Sequence, residues 1–231
     1  REINTPVLLR FSDLLHTRLR ELRRAFDDAI REHDYGGSYA CVYPIKVNQQ
    51  RTVVEELREF AKELGFGLEA GSKPEVLAVL GITEGSGLNG HNLPIVCNGF
   101  KDDEYIETCI LAHKLGRDIT PIVESEHELD LILKQSQRYG VRPKIGIRVK
   151  PSARGAGKWA SSGGMRSKFG LHVSQVLRAL DKLKAAGMAD CLRLVHFHVG
   201  SQLCDIRQLK NAVTELAHIY AELIRLGATG L

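Results

Sequence analysis

Six short apolar stretches in this 231-residue chain each give way to a polar residue: Lys46, Glu69, Asn98, Glu124, Arg148 and His198. If one cavity gathers them, a lysine, an arginine, two acids and a histidine suit an anionic cofactor or substrate. Lys46 follows Val42-Tyr43-Pro44-Ile45, so its amine leaves a buried strand rather than a solvated helix. An amine desolvated in this way is a nucleophile able to form a Schiff base with an aldehyde. Taken alone, a strand-end lysine that merely reaches water is the commoner case. Side chains alternate along a strand. Ile145, Ile147 and Val149 therefore make one apolar face and leave Gly146 and Arg148 on the other. Likewise Val195, Phe197 and Val199 leave His196, His198 and Gly200 opposite. The pair His196-x-His198 lacks a Cys or acid at companion spacing for zinc, so no metal ligand is assigned. A flat imidazole packed against an aromatic cofactor ring is a better use of an inward histidine. Cys204, beside Leu203, is either a reactive thiol or a core residue, and it has no paired base nearby.

The stretch from Pro151 to Gly170 holds five glycines (Gly155, Gly157, Gly163, Gly164, Gly170), four basic residues (Arg154, Lys158, Arg166, Lys168) and no acid. Its charge of +4 equals the formal net charge of the whole chain. Two readings stand: a cationic lid that recognises a carboxylate or phosphate, or a solvated surface loop. Its glycine spacing matches neither the P-loop nor the dinucleotide fingerprint.

The elements that must position these residues repeat one pattern of strand, helix and closing glycine. The expected strands are Tyr39–Lys46, Gly65–Ala70, Pro94–Gly99, Ile119–Ser125, Lys144–Val149 and Arg193–Gly200. Helical spacing fills the intervals, as in Val54, Leu57, Phe60, Ala61 and Leu64. Gly65, Gly81, Gly116, Gly140, Gly187 and Gly227 are read as helix stops. Ser125-Glu126-His127-Glu128 has capping-box form. Such alternation predicts an α/β fold with a parallel sheet, and six units in a row favour a TIM-type barrel over a doubly wound sheet. In such a barrel the site lies at the carboxyl ends of the strands. A leading amphipathic helix is expected to start at Thr5-Pro6 and to carry Leu8, Phe11, Leu15, Leu19, Leu22, Phe26 and Ile30 as its apolar stripe. Residues 1–35 are thus read as a helix packed on the barrel, and 36–231 as the barrel itself.

Composition narrows the function classes. At 43% hydrophobic residues the chain fills a core, which excludes intrinsic disorder. No apolar run has the ~18 residues of a membrane span. A surplus of +4 is too small to argue for nucleic acid. Five scattered cysteines without a C-x-x-C pair read as reduced thiols of a cytoplasmic protein.

Four motifs in order carry a resemblance: Val42-Tyr43-Pro44-Ile45-Lys46-Val47-Asn48, Gly67-Leu68-Glu69-Ala70-Gly71-Ser72-Lys73, Ser167-Lys168-Phe169-Gly170 and His196-Phe197-His198-Val199-Gly200-Ser201. Together they resemble the alanine-racemase-like class of pyridoxal-phosphate enzymes, specifically the basic amino acid decarboxylases. Gly157-Lys158-Trp159, Ser162-Gly163-Gly164 and the extension Gln49-Gln50 are similar to the bacterial biosynthetic arginine decarboxylases. The resemblance implies that Lys46 holds pyridoxal 5'-phosphate and that His198 stacks on its ring, these two being the catalytic residues. It implies Arg148 beside the phenolic oxygen, Ser201 near the phosphate, and Glu69 and Lys168 lining the site. The implied reaction takes L-arginine to agmatine and carbon dioxide for polyamine synthesis. The ring accepts the electrons left by the departing carboxylate. Magnesium is associated with the family, and a homodimer or higher homo-oligomer is implied. Decarboxylation of ornithine, lysine or diaminopimelate, or cofactor binding without turnover, are the alternatives.

The resemblance also implies parts that these residues lack: a phosphate-binding glycine loop, an acid on the pyridine nitrogen and a catalytic cysteine. Six strand signals against a barrel of eight lead to the expectation of an amino-terminal piece, with roughly 50–60 further residues completing the barrel.

Overall fold

The computed structural model describes residues 4–83, 93–151, 168–200 and 205–231, with every side chain among them but that of Lys62. Strands form where short apolar runs end at a glycine, a proline or a polar residue. They are β1 (Val42–Pro44), β2 (Gly67–Ala70), β3 (Ile95–Cys97), β4 (Ile119–Val123), β5 (Ile145–Arg148) and β6 (Leu192–His196). They form one sheet in the order β1-β2-β3-β4-β5-β6, and every neighbouring pair is parallel. Strand order that follows chain order without reversal is the winding of a barrel; a doubly wound sheet reverses at a switch point. Among the described residues β1 and β6 each have a strand on one side only.

The helices between and around the strands are α1 (Ser12–Glu32), α2 (Arg51–Leu64), α3 (Lys73–Ile82), α4 (Asp103–Lys114), α5 (Glu126–Tyr139), α6 (Val173–Ala185) and α7 (Ile206–Arg225). The core fills the space between sheet and helices. Leu68, Ala70, Cys97 and Ile119 from the strands meet Val76, Val79, Tyr105 and Cys109 from α3 and α4. Ile145, Ile147 and Leu192 meet Leu129, Ile132, Val176, Leu180, Leu183 and Leu223. Each such Leu or Ile stabilises the fold by about 1.5–3 kcal/mol through lost contact with water. Because Ile145 and Ile147 point to the helices, Gly146 and Arg148 point the other way, as alternation requires. A Cβ at Gly146 would come within 2.3 Å of Ile122 Cδ1, so the Ile122 side chain packs into the space that glycine leaves.

Three local expectations are corrected. The leading helix begins at Ser12, with Phe11 as its N-cap, not at Pro6. It forms where it lies on α2: Ser12 Oγ donates to Glu56 at 2.8 Å and Arg23 reaches the Leu64 carbonyl at 2.7 Å. Leu8 and Phe11 precede that support and stay exposed. Gly65, Gly116, Gly140, Gly187 and Gly227 have positive φ at helix ends, but α3 runs through Gly81 to Ile82. Thr83 ends it, its hydroxyl donating to the Val79 carbonyl at 2.6 Å while Arg117 binds the Thr83 carbonyl at 2.9 Å. Strand β1 stops at Pro44, which has no N–H to continue a ladder, and Ile45–Val47 form a 3-10 turn.

Candidate functional site

Five of the six strands deliver their polar ends to one cavity of about 730 Å³, and the turn after β1 delivers Lys46. Its lining includes Lys46, Glu69, Asn98, Glu124, Arg148 and His198, together with His196 and Glu75. That volume lies within the range of small-molecule sites.

Lys46 sits in the 3-10 turn, between the buried Ile45 and the exposed Val47. The residue is exposed, which corrects the expectation of a desolvated amine: the turn that Pro44 forces lifts it to the cavity mouth. Glu75, in the first turn of α3, ties the loops around it. It accepts from Gln49 Nε2 and from the Gly71 amide, both at 2.7 Å.

Glu69 is only 7% exposed. Its Oε1 accepts from Asn98 Nδ2 at 3.1 Å, while its Oε2 is buried without a partner. Burial pushes its pKa up, against the opposing pull of the Asn98 bond and the Lys46 charge. On the next pair of strands Glu124 Oε1 holds Arg148 Nη1 at 2.8 Å, with Glu124 Oε2 again unpartnered. Phe169 covers the guanidinium, 5.6 Å from its ring centre.

His196 closes β6, and its Nδ1 is buried without a partner. Burial first, then Arg148, His198 and Lys101, lower its pKa to about 3, so the ring is neutral at ordinary pH. His198 lies beyond the strand's end and is exposed as a residue. Desolvation of its ring lowers its pKa, with Arg148 and Lys46 adding and Glu124 opposing.

Among the described residues nine buried side-chain polar atoms have no hydrogen-bond partner, and four of them belong to residues lining this cavity: Glu69 Oε2, Asn98 Oδ1, Glu124 Oε2 and His196 Nδ1. Buried polar groups are normally paired, so a cluster left open marks where a ligand completes the hydrogen bonding. A primary amine at the mouth, a fixed guanidinium and a neutral imidazole beside those atoms fit an aldehyde cofactor with polar ring substituents.

The structure thus brings together Lys46, Glu69, Arg148 and His198. Lys168 is exposed and does not line the cavity. Ser201, Cys204 and most of the glycine-rich stretch (residues 152–167) lie outside the described residues. Sequence reasoning assigned no role to Glu75 and set His196 aside as one of a metal pair. The alternation that placed His198 inward also places His196 inward, and that signal was present. Among the described residues no three His, Cys, Asp or Glu side chains gather as a metal site would need.

A six-unit barrel segment with a lysine at the carboxyl end of its first strand defines the class. Residues 19–230 match the model of the pyridoxal-dependent decarboxylases, pyridoxal binding domain, and the chain belongs to that family. It is 54% identical over 228 residues to the biosynthetic arginine decarboxylase of Rhodopirellula baltica, covering 99% of this chain and 33% of the relative. The crystal structure of the biosynthetic arginine decarboxylase from Campylobacter jejuni superposes with a TM-score of 0.83 at 34% identity, covering 96% of this chain and 34% of that one. Diaminopimelate decarboxylase from Helicobacter pylori, complexed with L-lysine, gives a TM-score of 0.66 at 27% identity, covering 85% of this chain and 47% of that one. The chain spans about a third of the length of the curated relatives it matches.

Proposed function

We propose that this chain forms the cofactor cavity of a pyridoxal-phosphate arginine decarboxylase, which converts L-arginine to agmatine and carbon dioxide. The observation that carries the reading is the Lys46 amine at the mouth of a cavity lined by residues with four unpartnered buried polar atoms. Arginine as substrate rests on the 54% identity to an arginine decarboxylase. When bound, pyridoxal phosphate supplies an electron sink for the carbon that loses its carboxylate.

The chain's own residues do the rest. Lys46 would hold the cofactor through its amine at the cavity mouth. Arg148, fixed by Glu124, keeps a positive charge available to an anionic ring oxygen. His198 offers a flat and predominantly neutral imidazole to an aromatic ring. Glu69, with its carboxyl pKa raised by burial, holds a proton more readily than an ordinary surface acid. Apolar Val42, Val96, Leu194 and Val195 exclude water from the wall. Ser201 is assigned to this site on the resemblance alone, as is Lys168, although Lys168 does not line the described cavity; a cytoplasmic location and a homo-oligomer rest on the same ground. Residues 1–35 are taken as a helical layer on the barrel formed by 36–231. Magnesium finds no fitting donor cluster among the described residues, and no step passes through it. Nor is any described helix long and apolar enough to cross a membrane.

The test is to incubate the full-length protein with pyridoxal phosphate, reduce with borohydride and map the adduct. Labelling at Lys46, absent from Lys46→Ala, together with carbon dioxide release from arginine, is the expected outcome. Release from diaminopimelate instead would favour the second reading, which the likeness to the Helicobacter pylori structure supports. Labelling without release from arginine, ornithine, lysine or diaminopimelate would leave a cofactor-binding barrel.

A further inference from the structure

Behind the cavity wall lies a charged side chain that the proposed chemistry does not touch. Lys101 is completely buried. An ammonium has three donors, and here all three are used: on the Gly99 carbonyl at 2.7 Å, on the Ile122 carbonyl, and on Glu128 Oε2 at 3.3 Å. Glu128 is equally enclosed, with 2% of its side chain exposed. Its carboxylate accepts from the Glu124 amide at 2.8 Å and the Lys101 amide at 3.1 Å. Reading Glu128 as half of a capping box was therefore half right. Ser125 caps the Glu128 amide at 3.4 Å, but the Glu128 side chain turns to Lys101 and Glu124.

A buried ion pair adds little net stability over a well-packed apolar pair, so its stabilising effect alone does not account for it. Its location does. The β2–β3 ladder ends at Ala70 opposite Cys97, and the β3–β4 ladder ends at Cys97 opposite Pro121, which has no N–H to give. Past those rungs the strand ends carry Asn98 and Glu124 into the cavity. There Lys101 bridges the carbonyls of Gly99 and Ile122, and Glu128 pins the Glu124 amide. Tyr105 does the same one strand earlier, its hydroxyl lying 3.2 Å from the Ala70 carbonyl and 3.1 Å from that of Asn98. Gly99 itself is held at φ +80°, and a Cβ there would meet the Gly71 carbonyl oxygen at 2.1 Å, so this corner has no slack.

We propose that Lys101 and Glu128 are positioning residues for the cofactor site: their buried ion pair fixes the ends of β3 and β4, so that Asn98 and Glu124 hold Glu69 and Arg148 at the cavity. This rests on the reading of the cavity as a pyridoxal-phosphate site. Neither residue lines the cavity, so their positioning effect passes through Asn98 and Glu124, while the Lys101 charge also acts at a distance on His196.

The experiment compares the full-length protein with the double variant Lys101→Met/Glu128→Leu, which replaces the ion pair by apolar groups. Three quantities are read: the melting temperature, the affinity for pyridoxal phosphate by absorbance titration, and kcat for arginine. A positioning pair predicts a melting temperature close to that of the unmutated protein, with cofactor affinity and kcat each reduced about ten- to hundredfold. Unchanged affinity and turnover would show the pair to be packing only and overturn the proposal. If the double variant is not recovered folded, Lys101→Arg carries the test, because it keeps the charge but not the tetrahedral donor geometry. Cofactor affinity about tenfold weaker supports the role; unchanged affinity overturns it. Failure of the unmutated protein to bind pyridoxal phosphate would overturn the site reading and this inference together. Normal binding by the variants overturns the inference alone.

Discussion

The cavity lining and the layer directly behind it hold the same kinds of groups in opposite states. Each has a buried ion pair: Glu124 with Arg148 at 2.8 Å in the lining, Glu128 with Lys101 at 3.3 Å behind it. Behind the lining every donor of Lys101 is used and both Glu128 oxygens accept. In the lining Glu69, Asn98, Glu124 and His196 each keep a buried atom without a partner. Burial and charge alone therefore do not mark a functional group in this molecule. A cluster of open atoms around one cavity does, because a low-dielectric site makes open polar atoms costly unless a ligand completes them. The satisfied layer holds the chain in place, and the unsatisfied one is available for binding.

The sharpest way to break that contrast is to remove a charge from the satisfied layer. Lys101→Met alone leaves Glu128 buried and uncompensated, and should lower the unfolding free energy by about 3–5 kcal/mol in a denaturant titration. Glu124→Gln in the lining keeps shape and one acceptor for Arg148. Its stability loss should be smaller, about 1–3 kcal/mol, while arginine turnover falls further than in any variant that only destabilises. If Lys101→Met cost less than Glu124→Gln, the layer behind would not be the one that holds.

These two layers also differ in how legible they were. The positions that end the strands were readable because the cues are local: an apolar run, a polar residue, then helical spacing. That rule named Lys46, Glu69, Asn98, Glu124, Arg148 and His198, and all six line the cavity. The winding was readable too, since strand, helix and glycine simply repeat. The supporting layer was not. A lysine just before an amphipathic helix reads as solvated, and nothing near Lys101 signals that Glu128, 27 residues later, will enclose it. Helix ends failed for the same reason: Gly81 looked like a stop, but Arg117 fixes the terminus at Thr83 from 34 residues away. Exposure of Lys46 depended on Pro44 breaking the ladder, which alternation alone does not reveal.

Acid provides a weaker lever on the lining. His196 has its pKa lowered from 6.5 to about 3, so the unfolded chain binds a proton there more readily than the folded one does. The folded state is unaffected above the unfolded value and loses stability as pH falls from about 6.5 towards 3. His196→Gln removes that titration. Its unfolding free energy relative to the unmutated protein should be constant above pH 7, then improve by about 1–2 kcal/mol on going to pH 5. A pH-independent difference would mean that the ring is not desolvated as its position indicates.

The smallest effect is also the most discriminating, because two readouts should move in opposite directions. Glu69 has a raised pKa in the folded protein, so the folded state favours the protonated acid. Ionising Glu69 therefore costs stability as pH rises above the ordinary carboxylate value of about 4.3. Glu69→Gln is neutral at every pH, and its Oε1 still accepts from Asn98. It should therefore be more stable than the unmutated protein at pH 7, by up to about 1 kcal/mol, with the gain vanishing below pH 4. The same substitution puts an N–H where Oε2 had an open lone pair, so a ligand group that donates there loses its acceptor. Affinity for pyridoxal phosphate or arginine should then fall about tenfold, the scale of one hydrogen bond to a charged group. Higher stability with weaker binding is what an unsatisfied lining predicts. If Glu69→Gln lowered stability and left binding intact, Glu69 would belong with Lys101 and Glu128 among the groups that hold the fold.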